Sequence, residues 1–206
     1  MNIKNKFNEI KLNYKRAKFT NWIKAITNGQ NISFISQNCI SGRFYKLMGR
    51  PYLSPTVGLW FEPEDFLSFV ENLRLNLASE VMHDIEESKI YAYPVGRVNG
   101  IKIHFMHYES FEHAKQKWDD RAKRVDLANV MILMTDRDGC SASHKVRFFA
   151  LPFEKKALFS HLPTEGNDAE VYVPGFESQN SVGDLYGDYE AFYARPVLNA
   201  LAKSLN

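Results

Sequence analysis

Short apolar segments rich in β-forming residues alternate with amphipathic helical segments along most of this chain, and this alternation constrains its fold more than any other feature. Such an order is typical of α/β proteins, in which helices cover the faces of a mostly parallel sheet. The most apolar segment, residues 129–135, predicts a strand in the centre of that sheet. We therefore expect a three-layer α/β/α sandwich around a mixed, mostly parallel sheet.

The same patterns predict the remaining elements of the fold. Strands are expected at residues 31–36, 56–61, 89–97, 101–107, 156–160 and 170–173. Helices are expected at residues 1–28, near 43–48, at 111–125, near 144–150, from Pro63 onward and from about Asp188 onward. Asn99-Gly100 is a strong hairpin signal between two of these strands, and the antiparallel pair it joins would make the sheet mixed.

The N-terminal segment differs in charge from the rest of the chain. Residues 1–30 contain one acidic residue, Glu9, and seven basic residues, namely Lys4, Lys6, Lys11, Lys15, Arg16, Lys18 and Lys24. Apolar residues recur between them at helical spacing, so residues 1–29 predict a basic amphipathic helix attached to a single α/β domain at 30–206. This helix would pack on the body of the protein or lie on an anionic membrane surface.

Composition argues against several classes of protein. A net charge of +2 is too small to indicate nucleic acid binding, and two cysteines in 206 residues do not make a disulfide framework. No apolar run reaches the roughly 20 residues of a membrane-spanning helix, and no secretory signal is recognisable. The P-loop, Rossmann-glycine, CxxC and HExxH patterns are absent from the sequence. We expect a cytoplasmic protein with free thiols, at most peripheral to the inner membrane.

Three polar segments follow predicted strands, where ligands of open α/β sheets bind. Cys39 and Ser41 follow the first strand, His107 ends the hairpin, and Asp136 follows the apolar strand at 129–135. A thiol or hydroxyl on such a turn can act as a nucleophile, with a histidine as its base and an aspartate to orient that base. These residues predict an acyl-transfer site, for which acyl-coenzyme A is a candidate donor. A buried structural thiol and a structural histidine are the simpler interpretations.

Asp136 and Asp138 form a D-x-D pair that supports a second hypothesis, a glycosyltransferase that uses a sugar nucleotide. Carboxylates together with substrate phosphates suit Mg²⁺, and Mn²⁺ is the other candidate metal. A solvated loop with a helix cap is the simpler interpretation of this pair. Polar and cationic side chains expected to bind a substrate are Asn38, Arg97, Arg121 and Arg124.

Several segments together resemble a bacterial family of exopolysaccharide-biosynthesis proteins that is classified as a domain of unknown function. They are SQNCISGRFYKLMGRPYLSPTVGLWF at 36–61, EDFLSFVENL, YPVGR at 93–97, IHFMHY at 103–108, SFEHAKQKWDDRAKRV at 110–125 and MTDRDGC at 134–140. The resemblance covers residues 31–175 and implies a three-layer α/β fold and a role in capsule or exopolysaccharide synthesis. It carries over no catalytic residues, and Ser41 stands where the family often has glycine.

Three functions are compatible with these features of the sequence. The first is an acyltransferase that acts on a glycan or its precursor, and the second is a metal-dependent glycosyltransferase. The third is a non-catalytic accessory protein whose basic N-terminal helix docks on the membrane or on a biosynthetic partner. A carbohydrate or activated sugar is the expected substrate of the first two.

Overall fold

The structure is a computed structural model that describes residues 3–27, 30–163, 166–187, 191–192 and 195–203. In chain order its elements are α1 (Ile3–Ile26), β1 (Ser33–Ser36), α2 (Ile40–Met48), α3 (Pro63–Glu71), α4 (Leu73–Ala78), β2 (Met82–His83), α5 (Ile85–Tyr91), β3 (Val95–Val98), β4 (Ile101–His104), α6 (Phe111–Ala122), β5 (Val130–Thr135), α7 (Ala142–Ala150), β6 (Lys156–Ser160), β7 (Glu170–Tyr172) and α8 (Arg195–Lys203). The C-terminal helix predicted from Asp188 is described only from residue 195, because residues 188–190 and 193–194 lie outside the described part.

A parallel sheet with strand order β1-β5-β6-β7 forms the centre of the molecule. All six residues of β5 are buried, as expected for an apolar strand that is covered on both faces. Side chains that alternate along β5 belong to different cores, with Met131 and Leu133 on one face and Ile132 and Met134 on the other. Helices α1, α2 and α8 cover the first face and α3, α6 and α7 the second. The predicted α/β class is confirmed.

The predicted hairpin forms, and it lies in a second sheet. Strands β2, β3 and β4 are antiparallel, and Asn99 and Gly100 turn the chain with φ angles of 49° and 85°. Positive φ at both positions is what a tight hairpin turn requires. A single pair of backbone hydrogen bonds, between Trp60 and His104 at 3.0 Å each, joins this sheet to the segment that follows α2.

Two strand predictions are wrong for identifiable reasons. Residues 56–61 are apolar because they lie between the two sheets, where Phe61 donates to the carbonyl of Gln37 and Trp60 pairs with β4. The expected strand at 89–97 begins only at Val95, because Asp84 caps a helix by accepting a hydrogen bond from the backbone of Glu87. Local capping overrides the β-forming composition of this segment.

Helix α1 joins the body through its C-terminal half. Phe19 and Ile23 are buried, and the Phe19 ring lies 5.7 Å from that of Phe44 and 6.1 Å from that of Phe192, centroid to centroid. The earlier turns of α1 are mostly exposed. Residues 1–2 and 28–29 of the predicted helix lie outside the described part. Within the described ranges, no helix combines the length and apolar character needed to cross a bilayer.

Candidate functional site

A cleft of about 370 Å³ opens at the carboxyl ends of β1 and β5. Its lining residues come from five separate segments of the chain and are Asn38, Cys39, Trp60, Met106, His107, Thr135, Arg137, Asp138, Gly183, Asp184, Leu185 and Tyr186. Ligands of open parallel sheets bind at this edge. A groove of about 600 Å³ between α4 and α6 is larger but more open, and the residues that line it include neither a histidine nor a cysteine. We therefore place the candidate site in the smaller cleft.

Cys39 lies on the turn between β1 and α2, at the N-terminal end of the helix. Its thiol is half-buried and donates to the carbonyl of Leu59, with sulfur and oxygen 3.6 Å apart. Burial raises the pKa of this thiol to about 11, and the negative charge of Asp184 acts in the same direction. The thiol is therefore protonated at neutral pH, and a base must remove its proton before it can act as a nucleophile.

Asn38 holds this turn in place from the neighbouring position. Its side-chain carbonyl accepts from the backbone N–H of Ile40 at 3.3 Å, and its amide donates to the hydroxyl of Thr135 at 3.0 Å. The Thr135 hydroxyl donates in turn to the side-chain carbonyl of Gln37 at 3.1 Å. These hydrogen bonds connect the ends of β1 and β5, so they set the position from which Cys39 faces the cleft.

Ser41, the alternative nucleophile, requires a correction, because the structure places it away from the cleft. It is fully buried, accepts a hydrogen bond from Ser36 at 2.7 Å and donates to the carbonyl of Thr56 at 3.1 Å. A hydroxyl held on both sides by protein groups cannot reach a substrate. Ser41 instead connects the start of α2 to the segment that follows it.

Asp136 also requires a correction, because the histidine it contacts is His161 and not His107. One carboxylate oxygen accepts from the His161 ring at 2.5 Å and from its backbone N–H at 2.9 Å, and the other accepts from Val182 N–H at 2.8 Å. Asp136 is only 6% exposed. His161 directly follows β6, the strand beside β5, so a polar residue after a predicted strand was the signal that could have identified it.

The segment 182–186 forms one wall of the cleft, and three side chains hold it. Asp136 accepts from the backbone of Val182, Arg137 donates to the carbonyl of Gly183 at 3.2 Å, and Arg43 donates to the carbonyl of Tyr186 at 2.8 Å. The Arg43 guanidinium also lies over the Tyr186 ring, 4.3 Å from its centre. Asp136 therefore positions the cleft wall and does not itself line the cleft.

The proposed metal pair does not fit these contacts. Both oxygens of Asp136 accept hydrogen bonds from protein N–H groups, so a cation there would compete with these donors. Asp138 is exposed in the loop that follows β5. In the described ranges no group of three or more histidine, cysteine, aspartate or glutamate side chains is arranged to hold a metal. The predicted Mg²⁺ or Mn²⁺ site at Asp136 and Asp138 is not supported.

His107 is the histidine of the hairpin that reaches the cleft. Its side chain is exposed, and its backbone N–H donates to the carbonyl of Gly58 at 3.3 Å. His104 is fully buried instead, with its ring stacked 4.0 Å from that of Trp60. Burial lowers the pKa of His104 to about 4, which keeps it neutral. Of these two histidines, His107 is therefore the one placed to exchange a proton with a ligand in the cleft.

The three arginines predicted to bind substrate are not among the residues that line the cleft. Arg97 pairs with Asp84 at 2.6 Å, and Arg124 is exposed on α6's C-terminal side. Arg121 donates to the Tyr108 hydroxyl at 2.7 Å and to a backbone carbonyl at 3.1 Å. The cationic side chain in the cleft lining is Arg137, which lies between Asp136 and Asp138 in the sequence.

Comparison with known proteins places most of this chain in a described family. The family model described as "Domain of unknown function (DUF1919)" matches residues 9–200. A protein of Haemophilus influenzae described as "Uncharacterized protein" is 37% identical over 163 residues, which are 79% of this chain and 77% of that protein. The matched range includes every residue assigned to the cleft.

Proposed function

Because the chain belongs to the DUF1919 family, a domain of unknown function, we propose a reaction from the cleft itself. We propose that the protein transfers an acyl group from an acyl thioester to a sugar hydroxyl during surface-polysaccharide biosynthesis. The glycan part of this proposal rests on the sequence resemblance to exopolysaccharide-biosynthesis proteins. We place this reaction in the cytoplasm, where acyl-coenzyme A and activated sugars are both expected.

One observation carries the choice of acyl transfer, namely that Cys39 and His107 line the same cleft although they are distant in the sequence. A thiol with a pKa of about 11 is a poor nucleophile at neutral pH unless a base accepts its proton during attack. His107 is the histidine of the cleft lining and can serve as that base. Ligand pockets commonly measure about 300–1,000 Å³, so this cleft is large enough for the reacting groups.

The proposed reaction has two half-reactions. His107 takes the proton of Cys39 as the sulfur bonds to the carbonyl carbon of the thioester, and the released coenzyme A thiolate takes that proton from His107. A sugar hydroxyl then attacks the acyl-cysteine, and its proton passes through His107 to the Cys39 sulfur. The products are an O-acyl sugar, coenzyme A and the original thiol.

Intact-mass spectrometry tests this proposal without knowledge of the acceptor. Wild-type protein incubated with acetyl-coenzyme A is expected to gain the mass of one acetyl group, located on Cys39, and to release an equal amount of coenzyme A thiol. Cys39→Ala should abolish the adduct, and His107→Gln should slow its formation by about 100-fold or more, the usual contribution of a general base.

Cys140→Ala is the matched control for this experiment. Cys140 is also a half-buried thiol whose pKa burial raises to about 11, but it lies outside the cleft lining. Its replacement should leave the adduct unchanged. Two results would contradict the assignment. The first is an adduct that persists in Cys39→Ala. The second is Mn²⁺-dependent transfer of a sugar from a sugar nucleotide, together with no adduct from acetyl-coenzyme A.

A further inference from the structure

Helix α1 carries an exposed apolar stripe made of Phe7, Ile10 and Tyr14. These side chains are 68%, 61% and 62% exposed, respectively. Their spacing of three and four residues places them on one face of the helix. The residues that bury α1 against the body, Phe19 and Ile23, project from the opposite side of the helix. The stripe is therefore a second apolar face that the body of the protein does not cover.

Lysines border this stripe on both sides. At the 100° advance per residue of an α-helix, Lys6 falls on one flank and Lys11 and Lys18 fall on the other. All three side chains are exposed, and the Lys18 ammonium lies 5.4 Å from the centre of the Tyr14 ring. Residues 1–30 contain seven basic residues and one acidic residue, whereas the rest of the chain has more acidic than basic residues. Positive charge is thus concentrated beside the exposed apolar residues.

We propose that this stripe binds the surface of an anionic phospholipid membrane. An apolar face flanked by lysines lies in the membrane interface with its apolar side chains among the lipids and its cations at the anionic headgroups. Tyrosine is also favoured at that depth. A second copy of the chain is a poorer partner, because a symmetric contact brings the lysine borders of both copies together.

Co-sedimentation with vesicles tests the proposal with the full chain. The probe is a vesicle of equal parts phosphatidylglycerol and phosphatidylcholine, with pure phosphatidylcholine for comparison. We expect binding to the anionic vesicles that weakens as salt is raised, and little binding to the neutral ones. Replacing Phe7, Ile10 and Tyr14 together by serine should weaken binding by about tenfold or more.

Control variants separate the stripe from general surface properties. Serine at Leu75, Ile90 and Val146 removes apolar side chains that are 61%, 73% and 69% exposed on other helices, and should leave binding unchanged. Glutamine at Lys6 and Lys11 should weaken binding about 30-fold at low salt. Glutamine at Lys46 and Lys123, which are exposed on α2 and after α6, should have less than a tenth of that effect.

Three results would overturn this assignment. They are absence of binding to the anionic vesicles, equal loss in the stripe and control variants, and conversion of a dimer to a monomer by the stripe variant in sedimentation velocity. The last result would assign the stripe to a contact between copies of the chain. Thermal melting of each variant checks that the fold is retained, and because the stripe residues are exposed, melting temperatures close to that of the wild type are expected. This inference does not depend on the reaction proposed for the cleft.

Discussion

Replacing Asp136 by alanine removes a buried carboxylate that accepts three hydrogen bonds. Two of the donors are backbone N–H groups that would lose this acceptor, of which that of Val182 is buried and that of His161 is partly buried. A buried donor without an acceptor costs about 1–3 kcal/mol. For two such donors we expect the free energy of unfolding to fall by about 4 kcal/mol. For a chain of this size, that loss lowers the melting temperature by about 10 °C.

Urea unfolding followed by tryptophan fluorescence measures this loss directly. Asp138→Asn is the matched control, because Asp138 is exposed in the same loop and asparagine tolerates its φ of 58°. The control should change the free energy of unfolding by less than about 0.5 kcal/mol. A loss below about 1 kcal/mol in Asp136→Ala would show that these hydrogen bonds do not hold the cleft wall, and the role assigned to Asp136 would be wrong.

Two further predictions concern groups with shifted pKa values. In the Cys140→Ala background, the rate at which iodoacetamide alkylates Cys39 should keep rising from pH 9 toward about 11, because the thiolate forms only in that range. A plateau of this rate near pH 9 would contradict the burial of the thiol. The pKa of His104 is about 4 when folded against 6.5 as its ordinary value, so the unfolded chain binds its proton first as pH falls. His104 therefore contributes to a loss of stability below pH 6.5 that continues toward pH 4, and His104→Phe should reduce this pH dependence in urea unfolding; an unchanged dependence would refute the assignment.

Elements with a strong local signal were predictable from the sequence. Strand β5 was identified by its continuous apolar run, and the hairpin by Asn99-Gly100, because a buried strand and a tight turn each depend on residues adjacent in the chain. The segment 56–61 has the same apolar, β-forming composition, so these criteria also predicted a strand there. Its apolar residues are buried between two sheets, and burial alone does not specify whether a hydrogen-bonded ladder forms.

Parts of the candidate site were predictable for a related reason. Asn38, Cys39, His107 and Asp138 were selected because they follow predicted strands, and all four line the cleft. Asn38, Cys39 and Asp138 follow parallel strands, whose carboxyl ends meet at one edge of a sheet, so knowing which residues follow strands identifies candidates for a shared site. The arginines were chosen by charge alone, and Arg97 and Arg121 turned out to contact a carboxylate, a hydroxyl and backbone carbonyls elsewhere.

The α/β class, most of the strands and the polar turns that follow them can be predicted from local sequence, because they depend on residue periodicity and on turn chemistry over a few neighbouring positions. Two features required tertiary structure, namely the contact of Asp136 with His161 and the position of segment 182–186 as a wall of the cleft. Those contacts join residues that are 25 and 46 positions apart. They arise from the pairing of β5 with β6 and from the path of the chain after β7, which local sequence patterns do not encode.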